Sequence, residues 1–360
     1  MRGGIGHGWV PLLLVALLGT PAGAGPRGSE APWPGVLKEG VEAAARDFHG
    51  ELGLYVRDVR TGEEYAHGAD APMYLSSAIK VAVMLEVLRQ VDAGTLALDT
   101  PILFEPEDVR DGMSPLAKVA PGTRLPVATL LEYMMVHSDN AAADLLLGRV
   151  GLTNVQANLE ARGVRFGPLV TLLDDRRRVY AKLDPRGAEL PSVKVRELGR
   201  SNSLASRARR LSELLGHSPP WTGAELHAAF MAYYEERTNS APMRQVGMLL
   251  EQLARCEGLS PALCERALAL MRSCGTGRGR ILAGLPEGAD WAHKTGTQHQ
   301  RACDVGIFHP RPDRPVVVAL CTKGFRQVSD AEALMARIGR TLAEAFGDTP
   351  EPRGRYSAPP

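Results

Sequence analysis

The segment 77–90 constrains the fold more than any other part of the chain. Ile79, Val81, Ala82, Val83, Met84, Leu85, Val87 and Leu88 make it apolar nearly all round. A helix without a polar face is buried from every side, so the rest of the chain has to surround it. Ser77 and Lys80 stand three residues apart at its first turn, on one face. A serine hydroxyl is a poor nucleophile until a base takes its proton. A lysine desolvated inside such a helix has a lowered pKa and can be that base. The helix N-terminus also aims amide hydrogens at developing negative charge. Ser-x-x-Lys recurs by chance, and a serine at a helix start is commonly a cap. Ser76 is the neighbouring rival, but only Ser77 has Lys at i+3.

The elements around this helix follow from local pattern. Residues 36–48 read as an amphipathic helix. Residues 52–57 and 63–67 read as two strands around the turn Arg60-Thr61-Gly62. Further helices are expected at 126–136, 141–147, 242–254 and 261–274, the last two opening with Pro242 and Pro261. Strands are expected at 291–297, 304–308 and 316–322, and a closing helix at 331–346. The order is strand pair, helical block, then strands and a final helix, an α+β arrangement. If the two ends pair into one sheet, the helical block is an excursion from it. A cleft then lies at the seam between lobes.

Two further motifs belong to that seam. Ser138-Asp139-Asn140 lies in the bend before an apolar helix. Asn140 can cap that helix. Ser138 can relay a proton to a leaving nitrogen, and the two-ended amide of Asn140 can hold Lys80 and a substrate carbonyl. Asp139 reads as structural. Lys294-Thr295-Gly296-Thr297 falls on an expected edge strand. Gly296 would let a ligand backbone approach closely. Lys294 and the threonine hydroxyls suit a carboxylate, and the Thr297 N–H can join that of Ser77 as an oxyanion donor. Each motif alone is weak. Together they supply a nucleophile, two lysines, a second hydroxyl and an amide, the set that acyl transfer from an amide needs. His137, His293 and His299 lie near the motifs without spacing that makes a Ser-His-Asp set, and Arg176-Arg177-Arg178 reads as a solvated loop.

The chain opens with Arg2, a short apolar run at 10–18 and the small-residue site Ala22-Gly23-Ala24, so residues 1–24 read as a signal peptide. The run is far shorter than the ~20 apolar residues of a membrane span, and no later segment qualifies. Residues 25–35 read as a flexible leader and 347–360 as a loose tail, which leaves 36–346 as one catalytic unit. Without Arg2 the 42 basic and 41 acidic residues balance, so charge gives no reason to expect nucleic acid or an anionic membrane as partner. The five cysteines are all late: Cys256, Cys264, Cys274, Cys303 and Cys321. Positions 303 and 321 are symmetric about residue 312 and can face each other across a hairpin. An odd count leaves one thiol over unless chains are linked. The spacings form no zinc pattern, and no cofactor is called for.

These residues resemble the class A β-lactamases and the wider serine β-lactamase and penicillin-binding protein superfamily. The likeness covers roughly 36–175 and 238–346. It includes the run from His137 to Leu147, with Asp144 where asparagine is usual, and Lys294–Thr297 followed by Asp304-Val305-Gly306-Ile307-Phe308. It implies an antiparallel five-stranded sheet flanked by helices, plus an all-α lobe. It also implies Ser77 as the acylated serine with Lys80 its proton partner. Ser138 and Asn140 would complete the proton network. Lys294, Thr295, Gly296 and Thr297 would line the substrate, a small-molecule β-lactam or peptidoglycan-like amide, in a secreted or periplasmic enzyme. One departure stands out. The family's Glu-x-x-Leu-Asn stretch, whose glutamate activates the deacylating water, has no counterpart, and alignment puts Arg177 at its position. Residues 178–237 do not align and read as a surface excursion or lid. They hold Asp184, Glu189, Glu197, Glu213 and Glu225 as acids that could substitute. A D-alanyl-D-alanine-type peptidase or penicillin-binding protein, and a non-catalytic cell-wall binding module, are the alternative readings.

Overall fold

The computed structural model describes residues 1, 33–112 and 115–347. Most of the stretches read from the sequence as signal peptide and leader, and the tail from 348 onward, lie outside those residues. Twelve helices are described: α1 (Trp33–Ala45), α2 (Lys80–Asp92), α3 (Val127–Val136), α4 (Asn140–Val150), α5 (Leu152–Ala161), α6 (Leu172–Ala181), α7 (Ser192–Gly199), α8 (Leu204–Leu215), α9 (Gly223–Tyr234), α10 (Met243–Ala254), α11 (Pro261–Arg272) and α12 (Val328–Phe346). The strands are β1 (Glu51–Asp58), β2 (Glu64–His67), β3 (Pro72–Tyr74), β4 (Pro101–Leu103), β5 (Arg124–Pro126), β6 (Ser240–Pro242), β7 (Asp290–Gln298), β8 (Arg301–Arg311) and β9 (Arg314–Lys323).

The two ends of the chain do pair into one sheet. Its order is β2-β1-β9-β8-β7, antiparallel throughout, with β7 on the edge. The central β9 is covered on both faces, which is why Val316, Val317, Val318, Ala319 and Leu320 form an unbroken apolar run. Leu54, Val56, Val318 and Leu320 pack with α1 and α12. Tyr55, Val305, Val317 and Ala319 face the opposite layer, where α2 is the central helix. Cys303 and Cys321 are register partners on β8 and β9 and are bridged; a second disulfide joins Cys256 to Cys264.

α2 is buried along almost its whole length, including Lys80. Glu86, near its middle, is also fully buried and accepts hydrogen bonds from Arg89 (2.7 Å) and Gln90 (2.7 Å). The helix therefore keeps its surroundings apolar without leaving a charge alone.

Two expectations need correction. The leader does not reach residue 35. Trp33 already begins α1, is buried, packs its ring 4.8 Å from that of Phe346 and donates to Glu63 at 3.1 Å. A large aromatic with a partner for its N–H anchors the first turn to the sheet. Residues 178–237, read as a surface excursion or lid, are not an irregular loop either. Together with the rest of α6, they build α6–α9 around a core of their own that includes Val179, Tyr180, Leu211, Trp221, Phe230 and Tyr233. Ser203 and Thr222 cap α8 and α9, the latter in a reciprocal box with Glu225.

Candidate active site

Ser77 lies in a 3-10 turn, Ser76–Ile79, that leads directly into α2. Ser76 has φ 51°, the left-handed region that a serine occupies at a cost of about 1–3 kcal/mol. Edge strand β7 lies against this turn. A Cβ on Gly296 would collide with the Leu75 carbonyl and crowd Ser76 and the Ala78 amide. Gly296 is thus required by the protein's own backbone rather than, as the sequence suggested, by a ligand.

Lys80 Nζ donates to the Ser138 carbonyl at 2.6 Å and to Asn140 Oδ1 at 2.7 Å. It lies 3.2 Å from Ser77 Oγ and 3.3 Å from Ser138 Oγ. Burial, and secondarily the charge of Lys294, pulls its pKa well below the ordinary lysine range, against weaker opposition from Asp139, Asp144 and Asp111.

Ser138, at φ 58°, is a second serine in the left-handed region. Asp139 caps α4 by accepting from the amides of Ala141 (2.8 Å) and Ala142 (3.0 Å), and it also accepts from Leu116 N. This corrects the expectation that Asn140 is the cap. Asn140 is already helical, which frees its side chain. Its Oδ1 goes to Lys80, while its NH2 donates to the Asp111 carbonyl at 2.9 Å and to Asp111 Oδ1 at 3.3 Å. Asp144, in the usual asparagine's place, accepts from the amides of Leu172 and Leu173 and pairs with Arg110 at 2.6 Å, tying α4 to the start of α6.

Lys294 is fully buried and donates to Ser138 Oγ and to the Thr295 carbonyl, each at 3.0 Å. Burial brings its pKa down to about 8; Arg280 pushes the same way, while Cys274 and Asp304 oppose. Thr295 Oγ1 is 2.5 Å from Thr276 Oγ1. Thr297 is exposed at the rim, and its Oγ1 accepts from Arg280 Nη2 at 2.5 Å. The buried Arg280 also donates to the carbonyls of Gly296 (2.9 Å) and Cys303 (2.7 Å). Thr276 and Arg280 went unnoticed in the sequence. The spacing Thr276-Gly277-x-x-Arg280 ahead of the strand is the signal that points to them.

Arg177 does not face Lys80. Its Nε donates to the Leu190 carbonyl at 2.9 Å, and with Leu173, Phe104 and Pro191 it lines an outer groove. Arg176 is the arginine turned toward the site. It pairs with Asp111 (2.7 Å) and Asp175 (2.5 Å), so it is no solvated loop residue. Asp175 also accepts from Tyr74 (2.6 Å) and Tyr233. A chain of polar contacts, buried at its Asp175–Tyr74 end, thus runs from Asn140 through Asp111, Arg176 and Asp175 to Tyr74, three residues before the nucleophile. Asp111 was missed because only tertiary contact brings it in. None of the acids proposed in 178–237 is brought to Lys80. Asp184 pairs with Arg186, Glu197 with Lys194, and Glu225 caps α9. Glu189 and Glu213 are exposed. His137 is exposed, and His299 contacts His227 at 2.8 Å, held down at about 4 by burial and that neighbour. Among the described residues no group of three or more His, Cys, Asp or Glu side chains could hold a metal.

The sequence model of the Beta-lactamase enzyme family matches residues 36–346. The chain belongs to this beta-lactamase enzyme family. Curated relatives agree. A beta-lactamase of Streptomyces lavendulae is 26% identical over 342 residues, 92% of each chain. The carbapenem-hydrolyzing beta-lactamase KPC of Klebsiella oxytoca is 25% identical over 307 residues, 84% of this chain and 86% of that one. Among solved structures, an ancestral class A beta-lactamase superposes with a TM-score of 0.66 at 24% identity, covering 86% of this chain and 100% of its own. A mutant of PBP-A, solved as an acyl-enzyme complex with penicillin G, does so with 0.64 at 20%, covering 88% and 98%. These structural likenesses match the fold: the five-stranded antiparallel sheet with its helical lobe.

Proposed function

We propose that this family member opens the amide of a β-lactam through an acyl-enzyme on Ser77. The carrying observation is the setting of Lys80. A neutral amine has two N–H groups and one lone pair. The short bonds to the Ser138 carbonyl and Asn140 Oδ1 use both hydrogens, which leaves the lone pair for the Ser77 hydroxyl 3.2 Å away. Burial favours that neutral form. Lys80 takes the Ser77 proton as Oγ attacks the carbonyl carbon. Ser138 Oγ, between Lys80 and Lys294, passes a proton to the departing nitrogen. The amides of Ser77 and Thr297 take the oxyanion, each donor supplying roughly 2.7–4 kcal/mol. Lys294 and Thr295 receive the substrate carboxylate, with Arg280 behind Thr297.

Release is the slow half. The partners of Lys80 are all uncharged oxygens, and the position aligned with the family's glutamate carries Arg177, which points elsewhere. This supports a second reading, a D-alanyl-D-alanine-type peptidase or penicillin-binding enzyme that the drug acylates and leaves slowly, as a mutant of PBP-A, a fold relative, is seen as a penicillin G acyl-enzyme. Export is part of the proposal. The first 24 residues carry the signal-peptide pattern, two disulfides suit an oxidising compartment, and no described helix is long and apolar enough to cross a membrane.

Intact-mass spectrometry after adding a penicillin tests this. An adduct on Ser77 that clears while drug is consumed identifies a working β-lactamase. An adduct that stays identifies the penicillin-binding reading. No adduct refutes both.

A further inference from the structure

The groove that Arg177 lines stands apart from the acyl-transfer machinery. It has a volume of about 640 Å³ and lies between residues 104–121 and helices α6 and α7. That volume is within the range of small-ligand sites, and the walls are of the usual mainly apolar kind. Phe104 and Leu116, both almost fully buried, lie at its base. Pro191 and Val193, both exposed, stand at its mouth. None of Ser77, Lys80, Ser138, Asn140 and Lys294 lines it.

The charges in this groove are mainly positive. Arg196, on α7, makes no hydrogen bond or ion pair among the described residues, and its Nε is buried. A guanidinium sunk that far gives up hydration and gains no partner in return. Arg196 also lines a narrow crevice that shares Phe104 and Leu116 with the groove and reaches Ala141 in the first turn of α4, so it stands at the inner end. Arg177 adds a second guanidinium, already partly engaged by the Leu190 carbonyl and Asp174. Pro191, Ser192 and Val193 belong to the start of α7, which no side chain caps, and a helix start carries partial positive charge. Glu107 is the one acid among the lining residues, and it is exposed, so salt and water screen it.

We propose that this groove binds a medium-length organic carboxylate, its alkyl chain along Phe104, Leu116 and Val193 and its carboxylate on Arg196. The unpaired guanidinium selects the sign of the ligand. A carboxylate matches its fork of N–H donors and supplies the partner it lacks. The walls select the rest, since each methylene taken out of water there strengthens binding roughly fourfold. A bare inorganic anion would leave the walls wet. A neutral alcohol of the same length would fill them and leave Arg196 unpaired. An alkylammonium would meet two guanidinium groups and gain only the exposed Glu107.

The test titrates the full chain with sodium octanoate and, separately, with octanol and octylamine, followed by calorimetry. Octanoate should saturate one site and bind about tenfold more tightly than octanol, the gain from a charge-assisted pairing. Octylamine should bind weakest. Arg196→Gln should bring octanoate down to the level of octanol. Ala117→Glu adds a carboxylate at an exposed lining position and should weaken octanoate as well, which keeps the test decisive if Arg196→Gln fails to fold. Excess benzylpenicillin should not displace octanoate, because Lys294 is no part of the groove. Octanoate that does not saturate a site, that binds no better than octanol, or that keeps its affinity in either variant overturns the proposal. Displacement by benzylpenicillin would place the carboxylate in the catalytic cleft and overturn it too. The octanoate titrations use no β-lactam, so they stand or fall independently of Ser77.

Discussion

Lys80 and Lys294 share one hydroxyl: Ser138 Oγ lies 3.3 Å from the first Nζ and 3.0 Å from the second. Two ammonium groups around one hydroxyl repel each other, and each is already disfavoured by burial. The arrangement is stable as one amine and one ammonium. Lys80 is pulled further down, so it is the amine, and Lys294 keeps its proton up to about pH 8. Acylation by an anionic penicillin should therefore fall as pH rises through about 8, because the carboxylate loses its cation. Folding stability should move the opposite way. A lysine whose folded pKa is depressed releases its proton in the folded state first, so the unfolded state binds more protons above about 8 and this residue's contribution rises with pH. Acylation rates and urea midpoints measured across that range check both. A flat acylation profile would remove Lys294 from carboxylate binding.

Ser77→Ala should abolish covalent labelling, and Lys80→Ala should slow acylation by about 10²–10⁴, the range for losing a general base. Rapid-quench mass spectrometry of both variants reads this directly. Labelling that survives in Ser77→Ala would place the nucleophile elsewhere.

Most of this site was legible because its chemistry is local. Ser77 and Lys80 share a helical turn, Ser138 and Asn140 a bend, and Lys294 and Thr297 a strand, so spacing marked each group as a weak candidate and the three motifs together made the candidate site. What spacing did not expose came from tertiary contact. Asp111 reaches Asn140 from a loop, and Arg280 reaches Thr297 from across the strand. The pairing of the two chain ends stood in the sequence only as a condition and the five-stranded sheet only as what the resemblance implies; the order with β9 at the centre, covering Val316–Leu320 on both faces, came from the structure. Residues 178–237 misled because no motif marks them. Yet Ser203, the capping box Thr222–Glu225 and Gly216 at φ 64° beyond α8 are helix punctuation that a closer reading of caps would have used.

Arg176→Ala should lower stability by about 3–5 kcal/mol, the cost of leaving buried charge unpaired. The variant takes the cation from both Asp111 and Asp175, leaving them only the neutral donors Asn140, Tyr74 and Tyr233. Arg176 is also what overcomes burial to keep the Asp111 pKa below the usual range. Denaturant unfolding checks the stability. A loss below about 1 kcal/mol, the level of a surface pair, would mean that water reaches the pair freely.

Gly296→Ala tests how tightly β7 lies against the Ser76–Ile79 turn. The added methyl meets the Leu75 carbonyl, which is backbone and cannot rotate away. Overpacking of this kind costs about 1–3 kcal/mol, and here the strain falls on the turn that aims Ser77. Acylation should drop more than stability does. A wild-type acylation rate would show that β7 is free to move off the turn.

Arg177→Glu puts a carboxylate where the sequence resemblance placed the family's glutamate, and the contacts of Arg177 predict that this is not enough. Arg177 hangs on the Leu190 carbonyl beside Asp174 and lines a groove that does not include Lys80. A glutamate there loses the carbonyl bond and meets Asp174 one turn away, so stability should fall by about 1 kcal/mol. The lifetime of the penicillin adduct should not change, because the new carboxylate has no route to the Ser77 ester. Adduct decay by intact mass, with thermal unfolding alongside, reads both. Faster decay would require α6 to turn its Arg177 face toward Lys80, which would break the hold of Asp144 on the amides of Leu172 and Leu173.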